Sequence, residues 1–169
     1  MLPTRVDCYW VEEGVLLAGE YPGDMHPEAA RARLRELLDC GIRAFIDLTE
    51  VGDPLEPYDG LLKEEAGERG LEVSYARHPI RDISVPTVER MRSILRALDD
   101  ARAAGAPVYV HCWGGIGRTG TVVGCWLKGQ GSLDCDPVEA IARLRKDTRK
   151  RYAASPEAAS QLRFIARWK

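Results

Sequence analysis

The stretch PVYVHCWGGIGRTGTVVGCWLK spans residues 107–128, and its three parts decide the fold. PVYVHC is rich in β-branched and apolar residues and predicts a strand. Three glycines follow within four positions, a composition that serves turning and close approach better than packing. TGTVVGCWLK is then apolar almost all round, so a helix there is buried in the middle of its domain. A strand that runs through a glycine loop into a buried helix is a unit of an α/β sheet, whose ligands sit at the carboxyl ends of the strands.

Working outward, VLLAG (15–19), RAFIDLT (43–49) and LEVSYARHPI (71–80) predict three further strands. Helical patterns lie between them. In HPEAARARLRELLDCG the residues Ala30, Leu34, Leu37 and Leu38 form one apolar face, and Gly41 stands where a helix ends. A second helix runs from Pro86 to Ala104 with Val88, Met91, Leu95 and Leu98 on one face, and a weaker one covers 59–69. Asp136-Pro137-Val138-Glu139 has the form of a capping box, and Ser155-Pro156-Glu157 opens the last helix in a similar way. The expected fold is α/β, one domain over 1–169, with a mainly parallel central sheet of four to five strands flanked by helices on both faces. VGDPLEPYD (51–59) is too short to divide domains and is read as a loop.

Composition is that of an ordinary globule, and a net charge of −2 supplies no general attraction to nucleic acid. No segment approaches the roughly 20 apolar residues needed to cross a bilayer, so neither membrane insertion nor nucleic-acid binding is expected, and the localisation expected is cytoplasmic. Five scattered cysteines with no C-x-x-C pair argue for reduced thiols rather than a disulfide framework or structural zinc. His26 and His78 have no His or Cys partner at ligand spacing, so neither metal nor other cofactor is expected.

The chemistry collects in HCWGGIGRTG (111–120). Gly114, Gly115 and Gly117 let the backbone turn with positive φ and aim successive N–H groups inward, while the helix starting near Arg118 adds its positive end. Phosphate is the natural occupant, with Trp113, Gly114, Gly115, Ile116, Gly117 and Arg118 forming its cradle. Cys112 enters the cradle among N–H dipoles and beside the Arg118 guanidinium, which favour the thiolate. Such a thiolate is a nucleophile aimed at phosphorus. Arg118 grips two equatorial oxygens in its planar fork, and Thr119 donates its hydroxyl to the thiolate when Cys112 leaves.

The order His-Cys, five residues, Arg-Thr resembles the signature of the cysteine-dependent protein tyrosine phosphatase superfamily. The resemblance extends through CGIRAFIDLTE, HPIRD and SPEAASQLRF to most of the chain, and is strongest to the compact dual-specificity phosphatases, including the kinase-associated phosphatase type. It implies a general acid on a loop upstream, and Asp82 in HPIRDISVP lies 30 residues before Cys112. Asp47 is the rival carboxylate, but inside RAFIDLT it is read as an organiser of neighbouring loops. The resemblance also implies supporting roles for His111, within the loop scaffold, and for Gln161, in a segment similar to one that orders the attacking water. Glu157 stands where the more important glutamine of that segment is expected.

The implied enzyme hydrolyses phosphate monoesters through a cysteinyl-phosphate. Its expected substrates are phosphotyrosine in proteins and, beyond it, phosphoserine and phosphothreonine. A phosphoinositide or other small phosphate ester is the alternative, disfavoured because Trp113 and Ile116 occupy positions where lipid-directed relatives carry lysines. A non-catalytic phospho-binding adaptor and a rhodanese-type sulfurtransferase are the rivals from other classes. Six cations stand against one acid in RLRKDTRKR (143–151), which reads either as a solvated helix end or as a place where Arg149 or Arg151 meets a second phosphate. Tyr58 is either a stacking wall at the pocket mouth or ordinary loop packing. Cys40 and Cys125 are either core residues or traps for an oxidised Cys112.

Overall fold

The structure is a computed structural model and describes residues 2–131 and 135–169. Among the described residues, five strands and six helices follow in the order β1 (Cys8–Glu12), β2 (Leu16–Gly19), α1 (Pro27–Asp39), β3 (Ala44–Asp47), α2 (Asp59–Glu68), β4 (Ser74–Arg77), α3 (Val88–Ala103), β5 (Val108–His111), α4 (Gly117–Gly129), α5 (Pro137–Leu144) and α6 (Ala159–Arg167). The sheet order is β1-β2-β5-β3-β4. β2, β5, β3 and β4 run parallel, and β1 joins the edge antiparallel. This is the expected α/β fold, with a mainly parallel sheet.

Both faces of the sheet are covered, as the near-continuous burial of β2, β3 and β5 requires. Leu17, Phe45 and Tyr109 point to one face and pack against Leu34, Leu37 and Leu38 of α1 and Leu62 and Ala66 of α2. Ala18, Ile46 and Val110 point to the other, against Met91 and Ile94 of α3, Val122 and Val123 of α4, Ile141 of α5 and Ile165 of α6. The loops after β2, β3, β4 and β5 therefore all leave the sheet at one edge.

Local chemistry accounts for the element ends. Gly41 (φ 89°) follows α1 and receives a double cap, Gly41 N–H to Leu38 C=O at 3.0 Å and Ile42 N–H to Leu37 C=O at 3.1 Å. α4 lies against α6 and the preceding turn because its glycines lack side chains: a Cβ at Gly124 would run into Ile165, and one at Gly120 into Ser155.

Several expectations need correction. β1 was not expected; a turn at Gly14 (φ 71°) folds it back on β2. β4 is shorter than LEVSYARHPI because it is an edge strand with alternating exposure, and the chain then departs to form a loop. Val88 is exposed at the start of α3, where Ile94 takes the core position instead. Asp136 caps α5 by accepting from the Val138 N–H, without the reciprocal glutamate of a capping box. The last helix starts at Ala159, after a cis Ser155-Pro156 bond, and Gln161 Oε1 accepts the Ala158 N–H at its start.

Candidate active site

Residues 112–116 connect β5 to α4 at the sheet edge where the parallel strands end. The carbonyls of this loop are drawn outward one by one. Trp113 C=O accepts from the Tyr21 N–H at 2.9 Å, Gly114 C=O from Lys150 Nζ at 3.1 Å, and Ile116 C=O from Ser155 Oγ at 2.8 Å. Cys112 C=O faces His111 Nδ1 at 3.3 Å. In a trans peptide the next residue's N–H points opposite to the carbonyl, so the amides of Trp113, Gly114, Gly115 and Gly117 turn to the inner side of the loop. That side also faces the N-terminal end of α4, so dipoles of one sign converge on one spot.

The three glycines have different reasons. Gly115 alone has positive φ (71°), and a Cβ there would stand 2.5 Å from the carbonyl carbon of Gly19. Gly114 has no positive φ and would meet only Ile116 Cδ1, at 4.0 Å. A Cβ at Gly117 would collide with the Glu157 carboxylate and lie 3.0 Å from Gln161 Nε2. The shared expectation of positive φ thus holds for one glycine of the three; close approach explains Gly117.

A pocket of about 280 Å³ opens on the inner side of the loop. Cys112 lies in it, Trp113, Gly114, Ile116 and Gly117 line it, and Asp82, Lys150 and Glu157 complete the lining. Arg118 is 1% exposed and holds its guanidinium between two loops. Its Nη1 donates to Asp53 Oδ2 at 2.7 Å and to Ile80 C=O at 3.2 Å, and its Nη2 stands 3.1 Å from Asp82 Oδ1. Nη2 and Nε make no hydrogen bond, the Asp82 contact being an ion pair only. A buried guanidinium with two unsatisfied donors is costly unless a ligand completes it. Burial works against the charged guanidinium, yet the Asp53 bond and the negative charges of Cys112, Asp53 and Asp82 hold its pKa above the ordinary value. Asp53 was not singled out in the sequence, where it sits in the stretch 51–59 read as a loop.

Asp82 is half exposed on the loop between β4 and α3, beside the pocket. The next residue, Ile83, is 65% exposed with φ 54°, a strained conformation for a β-branched side chain. Gln161 Nε2 donates to Ser84 C=O at 3.1 Å, so α6 ties down this same loop. With both ends of its amide engaged, Gln161 braces the Asp82 loop. Thr119 is buried behind Cys112 in sequence, and its hydroxyl has no partner.

His111 is fully buried at the end of β5. A carbonyl only accepts, so Nδ1 carries the hydrogen toward Cys112 C=O, and Nε2 accepts from Tyr58 Oη at 2.6 Å. That is a neutral imidazole. Burial lowers its pKa, more than the nearby Asp47 charge raises it. Asp47 is buried and accepts from Thr49 N–H (2.8 Å), Thr49 Oγ1 (2.6 Å) and Tyr75 Oη (2.7 Å). Burial raises its pKa, but His111 and these bonds outweigh it and hold it low. Asp47 therefore organises loops, as expected, and Tyr58 is not a stacking wall: it is buried and orients His111.

The basic run resolves in an unexpected way. α5 ends at Leu144, and buried Arg145 folds the following segment around itself by bonds to Lys150 C=O and Ala153 C=O. Arg149 is spent on Glu20 at 2.7 Å and Arg151 lies over the Tyr152 ring. The cation that reaches the pocket is Lys150, held by Glu20 Oε2 at 2.7 Å.

A protein of Invertebrate iridescent virus 3 whose name carries the words tyrosine phosphatase is 30% identical over 99 residues, 56% of this chain but 38% of the viral protein. An uncharacterized protein of Methanocaldococcus jannaschii is 46% identical over 48 residues, 28% of this chain and 33% of its own length. The chain thus spans well under two thirds of these relatives. Among solved structures, Tk-PTP in its active form is 26% identical with a TM-score of 0.66, covering 95% of this chain and 94% of that one. Kinase associated phosphatase shares the fold at 18% identity, TM-score 0.68, with 95% and 90% covered. PTPMT1 in complex with PI(5)P shares it at 22% identity, TM-score 0.70, with 96% and 94% covered. Residues 21–132, from the loop after β2 through the end of α4, match the family model described as "Polymorphic toxin system, DSP-PTPase phosphatase", and the chain belongs to that family of dual-specificity and tyrosine phosphatases.

Proposed function

We propose that the protein hydrolyses phosphate monoesters on tyrosine, and secondarily on serine and threonine, through a cysteinyl-phosphate intermediate. One observation carries this reading: the unsatisfied Nε and Nη2 of buried Arg118 lie beside a pocket lined by Cys112 and Asp82. Two donors in a planar fork suit two equatorial oxygens of a transferring phosphoryl group. The inward amides of Trp113, Gly114, Gly115 and Gly117 take the remaining charge.

In the first step Cys112 Sγ attacks phosphorus. The S–P bond forms, the P–O bond to the substrate breaks, and Asp82 gives its proton to the leaving oxygen. In the second step water attacks phosphorus, Asp82 takes a proton from it, and the S–P bond breaks to return the thiolate and inorganic phosphate. The unpartnered Thr119 hydroxyl donates to that thiolate. Substrate binding needs no metal in this scheme, since Arg118 and the backbone amides carry the charge.

The test is phosphate release from matched phosphotyrosine and phosphothreonine peptides and a short-chain phosphoinositide, with rapid acid quench and intact-mass measurement. A phosphorylated Cys112 species, absent in Cys112→Ser along with all turnover, supports the proposal. Turnover that survives Cys112→Ser removes the covalent mechanism, and release from the phosphoinositide alone removes the protein substrate.

A further inference from the structure

Trp113 has two sides, and only one faces the phosphate pocket. Its other side lines a second groove of about 350 Å³, between the loop after β2 and the loop after β3. Tyr21, Met25, Pro54 and Leu55 supply apolar walls, and Glu56 lies at the rim. Met25 is 80% exposed and Trp113 47%, both costly to leave in water without a partner.

The groove is built to keep a fixed position relative to Cys112. Tyr21 N–H donates to Trp113 C=O at 2.9 Å and Tyr21 Oη to Glu56 C=O at 2.9 Å, so one residue pins the phosphate loop to the far wall. Gly23 leaves no room beneath it, since a Cβ there would strike the Tyr21 ring and stand 2.9 Å from Glu56 C=O. Asp24 is neutralised by Arg33 at 3.0 Å, whereas Glu56 is exposed at the groove edge.

We propose that this groove is a specificity subsite for a phosphoprotein segment, receiving a large aliphatic or aromatic side chain two residues from the phosphorylated one. The inference rests on the phosphatase reading and deepens it. In an extended chain the side chains at i and i+2 point to one side, roughly 6.6 Å apart, so both enter neighbouring cavities with the Trp113 ring between them. Continuity with the phosphate pocket through Trp113 is what commits the groove to the same ligand. The Glu56 carboxylate at the rim suits a peptide with a basic residue next to the apolar one and disfavours an anionic lipid surface.

The experiment compares phosphotyrosine peptides with leucine or glycine two residues before or after the phosphotyrosine, using wild type, Met25→Ser and Leu55→Ser. Wild type is expected to favour one leucine peptide in kcat/KM on the order of tenfold, the effect of burying one apolar side chain. Both variants should cut that preference to about twofold while nitrophenyl phosphate turnover stays unchanged. Met25 is so exposed that folding is not at issue for its variant. Equal turnover of all peptides, or a preference that survives both variants, overturns the proposal. Calorimetry of the same peptides with Cys112→Ser separates the two readings: absent turnover in wild type defeats the phosphatase, while the leucine preference in binding still decides the groove. Faster release from phosphoinositide vesicles than from the soluble short-chain lipid, lost in Met25→Ser and with no peptide preference, overturns the peptide occupant.

Discussion

Gly114 and Gly115 are adjacent in the signature loop, yet the structure assigns them opposite tolerance. Alanine at 115 must adopt φ near 71°, which costs an ordinary residue about 1–2 kcal/mol. Its Cβ would also stand 2.5 Å from Gly19 C, 2.7 Å from Gly19 O and 2.8 Å from Glu20 N, all backbone atoms of the strand end that cannot rotate away. The loop must therefore lift off β2 by most of an ångström to restore ordinary contact, a distortion of the overpacking kind worth about 1–3 kcal/mol. Because the same peptide units aim amides into the pocket, a displacement approaching 1 Å costs about 100-fold in rate. Alanine at 114 meets nothing nearer than Ile116 Cδ1 at 4.0 Å and needs no left-handed backbone. Urea denaturation should place Gly115→Ala about 2–5 kcal/mol below wild type and Gly114→Ala within about 0.5 kcal/mol. Their kcat/KM values on nitrophenyl phosphate should differ by about 100-fold. Equal effects, or a worse result at 114, would refute the assignment of the left-handed turn and of the contact with Gly19.

Three further outcomes follow from the site. Arg118→Lys keeps a charge but loses the fork, so kcat/KM on phosphopeptides should fall about 10³-fold while urea stability changes little by comparison; a loss under tenfold would show that Arg118 does not hold the phosphoryl group. Asp82→Asn should slow phosphothreonine release by about 10²–10⁴-fold and nitrophenyl phosphate far less, because only the poor leaving group needs the proton; a uniform loss across leaving groups would point to another acid. Stability should fall as pH drops from 7.5 to 5.5: His111 and His78 are both depressed below 6.5 in the fold, mainly by burial, so the unfolded chain binds protons that the folded one refuses. Asp47, held below 3.8, adds a second loss at lower pH, and His111→Gln should flatten the slope above pH 5.5 in urea titrations; an unchanged slope would remove His111 from the account.

Much of this architecture was legible from short patterns. The β5 to α4 unit read correctly because a β-branched run, a glycine cluster and an all-apolar helix each have a single good structural solution. α1 was equally clear, since the four residues expected on its apolar face are the four that are buried. β1 was missed although Tyr9, Trp10 and Val11 are good strand residues; what makes them a strand is pairing with β2 across Gly14, which the local run does not specify. In the site, Cys112 and Arg118 follow from chemistry at fixed spacing, whereas Asp53 does not. Its bond to Arg118 joins residues 65 apart in sequence, and the turn that carries it reads as an ordinary loop. Lys150 was hidden for a related reason: six cations in a row look alike until buried Arg145 shapes the segment and Glu20 selects one of them.

The two carboxylates on Arg118 are not equivalent, and the difference bears on the proposed mechanism. Asp53 is largely buried and hydrogen-bonded to Nη1, while Asp82 is half exposed and meets Nη2 as an ion pair only. An arriving phosphate needs the Nε and Nη2 edge. It therefore competes with Asp82 alone, and Asp53 keeps the guanidinium oriented throughout. In the proposed mechanism Asp82, displaced from Arg118, is free to turn toward the leaving oxygen of the substrate that displaced it. Loss of the dianion on phosphate release restores the Arg118 contact. In that scheme substrate binding itself frees the acid, while the Gln161 bond to Ser84 C=O holds the loop that carries Asp82 beside the pocket.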